Sequence, residues 1–278
     1  MAKLASIVLI FSSIIALVLL SSCPAMSQEV EDESEFNYDE GSDKGPQNWG
    51  NIKPEWFMCK NGTKQSPIDL LNQRVQIVSN LGTLQINYKP SNATLKNRGH
   101  DIMLELFSNS SYLQINETQY VLKQLHWHSP SEHTIDGKRF DLELHLVHQT
   151  PSGKIAVIGI LYKIGIPDLF LSLLKKDLEA ISESTGAERE IGIVVPNLIT
   201  FGRRQYYRYI GSLTTPPCSQ NITWTIVTEV KSISKEQIEL LRVAVHDIVD
   251  GDSSAVVMNE SEEVKNEDCC RRMGDEDD

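Results

Sequence analysis

The chain has 278 residues, of which 40% are hydrophobic and 7% aromatic, and this composition indicates a globular protein with a sizeable core rather than a disordered chain. Its formal net charge is -12, and it contains no basic run. Because phosphate binding needs clustered Lys and Arg side chains, the composition argues against a nucleic-acid partner.

The N-terminal segment has the layout of a secretory signal peptide. Lys3 supplies a short positive region, an apolar run interrupted only by three serines covers residues 4–20, and small residues follow it. We therefore predict a cleaved signal peptide over residues 1–27 and an acidic lead over residues 28–35, with no stable membrane anchor after cleavage. The alternative is a retained anchor, because the apolar run approaches the length of a membrane span.

Entry into the secretory pathway would deliver the protein to the extracellular space or cell wall, or in a plant to a plastid reached by the same route. A protein on this pathway is open to N-glycosylation at exposed Asn-x-Ser/Thr sites. The candidate acceptors are Asn61, Asn92, Asn109, Asn116 and Asn221, with a further site at Asn259 near the C-terminus.

The cysteines fit an oxidising compartment. Signal cleavage would remove Cys23 and leave four others. Cys59 and Cys218 lie in segments whose sequence predicts ordered structure, so they are the expected disulfide pair. Cys269 and Cys270 are neighbours in a charged segment, where they are either free or paired between chains.

From about residue 81 to residue 163, short segments of alternating apolar and polar residues are separated by Gly, Asn and Pro, a pattern typical of antiparallel strands. The predicted strands are Leu84–Tyr88, Ile102–Leu106, Asp141–His148 and Ile155–Tyr162. An apolar stripe predicts a helix over Asp168–Ser182. A second helix is predicted over Ser234–Val245, with Ser234 as its N-cap and Gln237 placed to bond back to it. The sequence contains no internal repeat or linker. We therefore predict one mainly β (α+β) domain, built on a large, mostly antiparallel twisted central sheet with peripheral helices.

The segment Gln124–His128, interpreted as a further strand, and the predicted strand Asp141–His148 each carry histidines on one face. Gln124, His126 and His128 alternate along the chain, as do Glu143 and His145, so each set projects to one side of its strand. Three imidazoles on adjacent strands can share one metal ion and leave a fourth position for water, which is the open arrangement of a catalytic zinc site. Gln124 and Glu143 each precede a ligand by two residues, where acceptors for the far ring nitrogens are expected.

Other interpretations of these histidines remain open at this point. His133 and His148 fall outside the alternation and are interpreted as hydrogen-bonded core residues. His126, His128 and Glu132 have the spacing of half a cupin motif, which binds iron or manganese, although the upstream glycine of that motif is missing. A His-Glu-x-x-His helix is absent from the sequence, which disfavours a zinc protease.

Longer motifs resemble those of alpha-class carbonic anhydrases. They are, in chain order, Gln65–Ile68, Asn97–His100, the run Gln124–His148 and Gly211–Cys218. The correspondence extends from about Phe36 to about Asp247, and the His-Trp-His segment followed by Ser-Pro is similar to plant members. The resemblance implies a carbonic-anhydrase-like domain over residues 36–250 and a divergent, charged and disordered tail over residues 251–278.

The resemblance also implies a function. The chain would be a zinc lyase of one-carbon metabolism that interconverts carbon dioxide and bicarbonate, with Zn²⁺ as cofactor and these small molecules as its partners. Hydroxide on the zinc would attack carbon dioxide. The zinc ligands would be His126, His128 and His145.

Further residues match catalytic and substrate-binding positions of the family. Thr214 would accept the hydrogen bond of the hydroxide and donate one to Glu132, and Thr215 would help to position bicarbonate. His100 matches the proton shuttle, a role that suits a histidine of near-neutral pKa. Cys59 and Cys218 match a disulfide of exported relatives. The residues that match the apolar wall for carbon dioxide are Val147, Val157, Leu213 and Trp224.

The sequence departs from the family pattern at several positions. Arg98 stands where Asn is common beside the shuttle, Met103 where a polar residue often lines the cavity, and Asn51 where many relatives have Tyr. After Asp247 the family's Asn-x-Arg-Pro segment and final strand are missing. In relatives that segment completes the sheet and offers a backbone carbonyl to the ring that matches His128.

The rival prediction is a catalytically weak binding or storage protein on the same scaffold. Such relatives usually lose a ligand histidine, whereas this chain keeps all three. No oligomeric state is predicted.

Overall fold

A computed structural model describes residues 35–244 and 270–272. The predicted signal peptide and most of the predicted tail lie outside the described residues. The strands are β1 Asp69–Leu70, β2 Gln76–Ile77, β3 Gln85–Asn87, β4 Ser91–Asn97, β5 Ile102–Leu106, β6 Tyr112–Ile115, β7 Thr118–His128, β8 Thr134–Ile135, β9 Lys138–Arg139, β10 Leu142–Gln149, β11 Ile155–Ile164, β12 Glu188–Val194, β13 Tyr206–Ser212, β14 Gln220–Val227, β15 Lys231–Ile233 and β16 Cys270–Arg272. The α-helices are α1 Trp49–Ile52, α2 Met58–Asn61, α3 Leu169–Ile181 and α4 Lys235–Ala244.

One large sheet dominates the fold. Within the described ranges it has 13 strands, and its main path runs β12-β4-β5-β7-β10-β11-β14-β13-β16-β2, with β3, β6 and β15 paired alongside. Neighbours are antiparallel except where β11 meets β14 and β15 and where β16 meets β2. The short strands β1, β8 and β9 form a separate small sheet. The prediction of a mainly β domain with a large, mostly antiparallel central sheet and peripheral helices is confirmed.

The middle of the sheet is covered on both faces. Nearly every residue of β10 and the first eight residues of β11 are buried. Leu144 and Leu146 of β10 belong to the core cluster that contains the apolar residues of α3, whereas Val147 lies with Val157 in a second cluster. A strand buried on both faces needs apolar residues at successive positions, which accounts for the continuous apolar run of β11.

Both predicted helices form, and side chains cap and join them. Asp168 caps α3 by accepting a hydrogen bond from the backbone N–H of Leu171 at 3.0 Å. At α4, the Ser234 hydroxyl accepts from the backbone N–H of Gln237, and the Gln237 side chain accepts from the backbone N–H of Ser234. The same Gln237 amide exchanges two hydrogen bonds of 2.8 Å with the backbone of Asp168, so it ties the two helix starts together.

A short strand from the C-terminal segment lies next to the last strand of the sheet's main path. In the range 251–278, for which a disordered tail is predicted, the described residues Cys270–Arg272 form β16, which pairs antiparallel with β13 and parallel with β2. These three residues therefore differ from the prediction. They lengthen the sheet where the family's final strand was expected to be missing.

In the part of the chain that the structure describes, no helix has both the length and the apolar character that crossing a membrane requires.

The predicted disulfide is present. Cys59 of α2 and Cys218, in the loop between β13 and β14, have their Cα atoms 4.9 Å apart and form the bond. Both lie in a buried cluster with Phe36, Trp49 and Trp56. The bond therefore fastens the N-terminal part of the domain to the loop that carries Thr214 and Thr215.

Replacing both cysteines with serine is expected to lower the free energy of unfolding by about 5 kcal/mol, because in the chain-entropy model the bond closes a very long loop in the unfolded chain. The sequence separation of the two residues is 159. Urea denaturation of the double variant measures the loss, and reduction of the unmodified protein should reproduce it. A loss below about 1 kcal/mol would show that the chain-entropy model does not describe the contribution of this bond to stability.

Candidate metal centre

Strand register brings the three candidate ligands together. β7 and β10 are antiparallel, with His145 directly opposite His126 and Glu143 opposite His128. Because side chains alternate between the two faces of a strand, His126, His128 and His145 share one face at the centre of the sheet. The predicted convergence of the three histidines is observed.

The three rings are close and buried. Their centroids are separated by 4.9, 5.0 and 4.7 Å, and one nitrogen from each ring lies within 4.8 Å of the others. His126 Nε2 and His145 Nδ1 are only 3.2 Å apart. A tetrahedral ion with nitrogen ligands at about 2.05 Å separates them by roughly 3.3 Å, so this spacing suits a shared ion.

The hydrogen bonds behind the rings show which nitrogens are available. His126 Nδ1 donates to Gln124 Oε1 at 2.8 Å, and His145 Nε2 donates to Glu143 Oε1 at 2.9 Å. In the neutral rings, His126 Nε2 and His145 Nδ1 therefore face each other as bare lone pairs, an arrangement that favours a cation between them. Gln124 and Glu143 take the positions predicted for acceptors behind the ligands.

Two further properties fit a metal ion. His128 Nε2 is buried and has no hydrogen-bond partner among the residues described, so its lone pair is also available. Burial lowers the pKa of His126 well below its usual value, although the charge of Asp101 opposes this shift. A neutral imidazole is the form that binds metals. The residues present therefore fit a metal held by three nitrogens.

Glu143 organises the surroundings of His145. Its carboxylate is 0% exposed and accepts four hydrogen bonds. Oε1 accepts from His145 Nε2 and from His133 Nδ1 at 2.7 Å, while Oε2 accepts from the backbone N–H groups of Glu132 at 3.0 Å and His133 at 2.8 Å. Burial alone would raise the pKa of Glu143, but the two imidazoles and their hydrogen bonds outweigh burial and hold this pKa well below its usual range.

The support extends beyond Glu143 to residues that the sequence did not indicate. With Nδ1 of His133 donating to Glu143, its Nε2 accepts from the Tyr209 hydroxyl at 2.6 Å, and the Ser66 hydroxyl lies 2.8 Å from the Tyr209 oxygen. The backbone N–H of Ser66 donates to Ser212 Oγ at 2.8 Å. His133 is thus a buried, fully hydrogen-bonded residue, as predicted, but its partners link the metal centre to the end of β13.

Gly159 is a further residue that sequence analysis missed. It lies opposite His145 across β10 and β11. A Cβ atom at this position would be 2.8 Å from Glu143 Oε1 and 2.5 Å from Ile226 Cδ1. The missing side chain leaves the room that the Glu143 carboxylate occupies.

His148 has a different environment from the three candidate ligands. Its Nε2 lies 2.7 Å from the Tyr88 hydroxyl and its Nδ1 lies 3.2 Å from the Ala156 carbonyl oxygen. The ring is completely buried. The interpretation of His148 as a hydrogen-bonded core residue is confirmed.

The residues predicted to form an apolar wall lie in one buried cluster. That cluster contains Val147, Val157, Leu213 and Trp224. The Trp224 ring centroid is 4.8 Å from that of His145, so the cluster borders the candidate metal centre. Its indole N–H donates to the Ser212 carbonyl at 2.8 Å, which fixes the orientation of the ring.

Thr214 and Thr215 are buried in the loop that the disulfide anchors. Thr215 Oγ1 has no hydrogen-bond partner among the described residues and is shielded from solvent. Glu132 Oε2 lies 3.6 Å from His128 Nε2. The predicted hydrogen bond from Thr214 to Glu132 stays a prediction.

His100 differs from the expectation of a near-neutral pKa. Its side chain is only 3% exposed, and the Phe36 ring lies over it at a centroid distance of 5.1 Å. Burial lowers the pKa of His100 to about 4, and the attraction of Asp101 offsets this only in part. The adjacent departure from the family pattern, Arg98, is buried and bound to Asp101.

The other two departures lie in different surroundings. Met103 of β5 is buried and pairs with His126 of β7, so an apolar side chain stands beside a candidate ligand. Asn51 is exposed and accepts a hydrogen bond from Lys60 Nζ at 3.0 Å.

Three imidazole nitrogens converge on one point in the buried centre of the sheet, and two of the rings have polar acceptors behind them. The protein is therefore a β-sheet protein with a candidate metal centre. The family model for eukaryotic-type carbonic anhydrases matches residues 44–261. The chain belongs to this family. The cupin interpretation is therefore wrong, and the third histidine comes from β10 instead.

Similar proteins support the assignment. Alpha carbonic anhydrase 7 of Arabidopsis thaliana is 55% identical over 243 residues, which cover 87% of this chain and 88% of that protein. Dioscorin dioA3 of Dioscorea japonica is 44% identical over 240 residues, covering 85% of this chain and 88% of that protein. A crystal structure of dioscorin complexed with ascorbate superposes with a TM-score of 0.81 at 39% identity, covering 87% of this chain and 100% of the other.

Proposed function

We propose that this protein catalyses the reversible hydration of carbon dioxide to bicarbonate and a proton, with Zn²⁺ as its cofactor. The observation that carries the proposal is the convergence of three available nitrogens, His126 Nε2, His128 Nε2 and His145 Nδ1. In carbonic anhydrases, zinc held by three histidines lowers the pKa of water in its open position to about 7, a value established for that family.

The chain's own residues would orient and bind. Gln124 and Glu143 hold the hydrogens of two ligand rings on their far sides, so that the near nitrogens stay bare. Thr214 would accept a hydrogen bond from the attacking oxygen and pass its own hydrogen to Glu132, and Thr215 would help to position bicarbonate.

The apolar cluster beside the candidate metal centre would hold carbon dioxide, because a nonpolar gas needs a surface free of competing water. Val147, Val157, Leu213 and Trp224 supply this surface next to the polar ligands. His100 would move the released proton to solvent. Each of these roles rests on the family match; for the apolar cluster it is also supported by the contact of Trp224 with His145.

The proposal is tested by stopped-flow hydration of carbon dioxide with the purified mature domain, while zinc content is measured in the same preparation. We expect about one zinc per chain and turnover that disappears when a chelator removes the metal, as expected for a site with one open coordination position. Full zinc content without hydration would contradict the proposed enzyme. Iron or manganese in place of zinc would contradict the proposed cofactor.

A binding protein with weak catalysis is the second candidate function. It is supported by the likeness to dioscorins, one of which was solved with ascorbate. Retention of all three candidate ligands counts against it. Calorimetry with ascorbate, run beside the hydration assay, separates the two: binding without hydration would favour this second function.

We also propose that the protein enters the secretory pathway and is glycosylated. The signal-like N-terminus and the disulfide both support export. The five candidate acceptors within the described residues are all exposed; they are Asn61, Asn92, Asn109, Asn116 and Asn221. Mass spectrometry of protein secreted from a plant host tests both points, and an unprocessed N-terminus without sugar would contradict them.

A further inference from the structure

His100 has no contact with water through its ring nitrogens. Both nitrogens are shielded from solvent, and neither makes a hydrogen bond of ordinary geometry; the backbone of Arg98 is their only weak polar contact among the described residues that acts on the ring as a hydrogen bond. The Phe36 ring lies over the imidazole at 5.1 Å between centroids. A group that passes protons to solvent must reach water, directly or through other polar groups, so His100 in this position has no direct route for a proton to solvent.

The carboxylate beside His100 is already engaged. Asp101 Oδ2 is 3.8 Å from His100 Nε2, which is beyond hydrogen-bonding distance. Both oxygens of Asp101 are held by Arg98, whose Nε donates to Oδ1 at 2.7 Å and whose second nitrogen contacts Oδ2. Arg98 and Asp101 are therefore paired with each other rather than with the imidazole of His100. The third charged or titratable neighbour, on β7, is His128.

The segment that covers His100 is firmly packed. We call residues 35–45 the N-terminal strap. Phe36 of the strap contacts Trp49 edge to face at 5.4 Å and Trp56 at 6.2 Å. The Trp49 indole N–H donates to the carbonyl oxygens of Asn37 at 3.1 Å and Lys44 at 3.0 Å, so both arms of the strap are attached to α1.

We propose that Phe36 is a positioning residue that holds His100 in a closed, dry position, so that proton transfer through His100 requires the N-terminal strap to move. The proposal rests on the proposed function only for its kinetic consequence. It gives Phe36 a role in addition to its packing against other aromatic side chains, and this role is separate from metal binding.

The acid–base state of His100 follows from the same cover. Burial is the largest cause of its lowered pKa of about 4; the charge of Asp101 opposes the shift, the charges of Arg98 and His128 add to it, and the backbone contact with Arg98 opposes it weakly. At pH 7 a group with that pKa is protonated about one time in a thousand. An open ring, returned to water, would have a pKa near the ordinary value of about 6.5 and would accept protons at neutral pH.

An NMR titration of the histidine ring protons tests the cover directly. In Phe36→Ala the pKa of His100 is expected to rise from about 4 toward about 6.5, whereas in Phe36→Leu, which retains a large apolar side chain over the ring, it should stay low. An unchanged pKa of His100 in Phe36→Ala would overturn the proposal. This result does not depend on activity, so it stands apart from any failure of the proposed enzyme.

A second measurement covers the possibility that Phe36→Ala does not fold. Hydrogen–deuterium exchange at the ring carbon between the two nitrogens, followed by mass spectrometry on the unmodified protein, reports ring accessibility. His100 should exchange far more slowly than in the urea-unfolded chain. Equal rates would overturn the proposal without any variant.

Kinetic measurements then distinguish the loss of the Phe36 side chain over His100 from a general loosening of the structure. At low buffer concentration, Phe36→Ala should raise kcat severalfold and leave kcat/KM unchanged, because only the proton-transfer step is affected. In the His100→Ala background the same change should have no effect, and imidazole buffer should accelerate that background. A rise in kcat that persists without His100 would overturn the positioning role.

Discussion

Replacing His126 with Ala is expected to abolish zinc retention and to reduce carbon dioxide hydration by about a thousandfold or more. Metal ions typically supply several kcal/mol of transition-state stabilisation, and each 1.36 kcal/mol corresponds to about a factor of ten in rate. With His126 removed, two imidazoles remain, which is one nitrogen fewer than an open three-histidine zinc site uses. Zinc content after dialysis and stopped-flow hydration measure the two effects.

The matched control is His148→Ala. His148 is also a buried histidine, on the neighbouring strand β10, but it bonds to Tyr88 and Ala156 rather than to the metal centre. This variant should lose stability and keep its zinc. A third readout separates binding from folding: excess zinc should raise the midpoint of thermal unfolding of the parent protein and of His148→Ala, but not of His126→Ala. Zinc retained by His126→Ala would remove this residue from the ligand set.

Local periodicity made the candidate metal centre predictable. His126 and His128 alternate within β7, and a two-residue period places both on one face whatever the rest of the fold does. Likewise Glu143 and His145 alternate within β10. What the pattern left open was the register between the strands, which places His145 opposite His126 and depends on pairing over the whole sheet.

The hydrogen bonds beyond Glu143 were not predictable, because they join distant segments. Tyr209 meets His133 across 76 positions and Ser66 across 143. No local pattern marks a hydroxyl that will be within hydrogen-bonding distance of an imidazole in the folded chain. The cover on His100 has the same origin, since Phe36 is distant from it in sequence and the two residues meet only in the folded chain.

The strands differ in the same way. Three of the segments predicted as strands, those that became Ile102–Leu106, Leu142–Gln149 and Ile155–Ile164, were placed within a residue or two. Strands of two or three residues, such as Asp69–Leu70 and Cys270–Arg272, are too short to show a period. Glu188–Val194 is largely exposed and lacks an apolar face, yet it pairs with β4 at the edge of the sheet.

Replacing Glu143 with Gln is expected to reduce zinc affinity by about 10- to 100-fold and to lower the free energy of unfolding by about 3 kcal/mol or more. The two carboxylate oxygens together accept four hydrogen bonds. An amide has one oxygen, so in either orientation its NH₂ group faces two donors: the backbone N–H groups of Glu132 and His133, or the two imidazoles. Buried donors then lose their acceptor.

The effect on the metal follows from the tautomer of His145. Once Nε2 of that ring loses its carboxylate acceptor, its hydrogen is no longer held on the far side, and the bare lone pair at Nδ1 is less strongly favoured. Chelator competition measures the affinity, and urea denaturation of the metal-free protein measures the stability separately.

Gln124→Ala is the matched control for Glu143→Gln. Gln124 also accepts from a ligand ring, but it is half-buried and neutral, so water can replace its oxygen behind His126. Its loss should weaken zinc binding less and leave the metal-free protein nearly as stable. If Glu143→Gln matched this mild outcome in both measurements, the four hydrogen bonds of Glu143 would not be what orients His145, and the ring would have to be held by its packing against Trp224 instead.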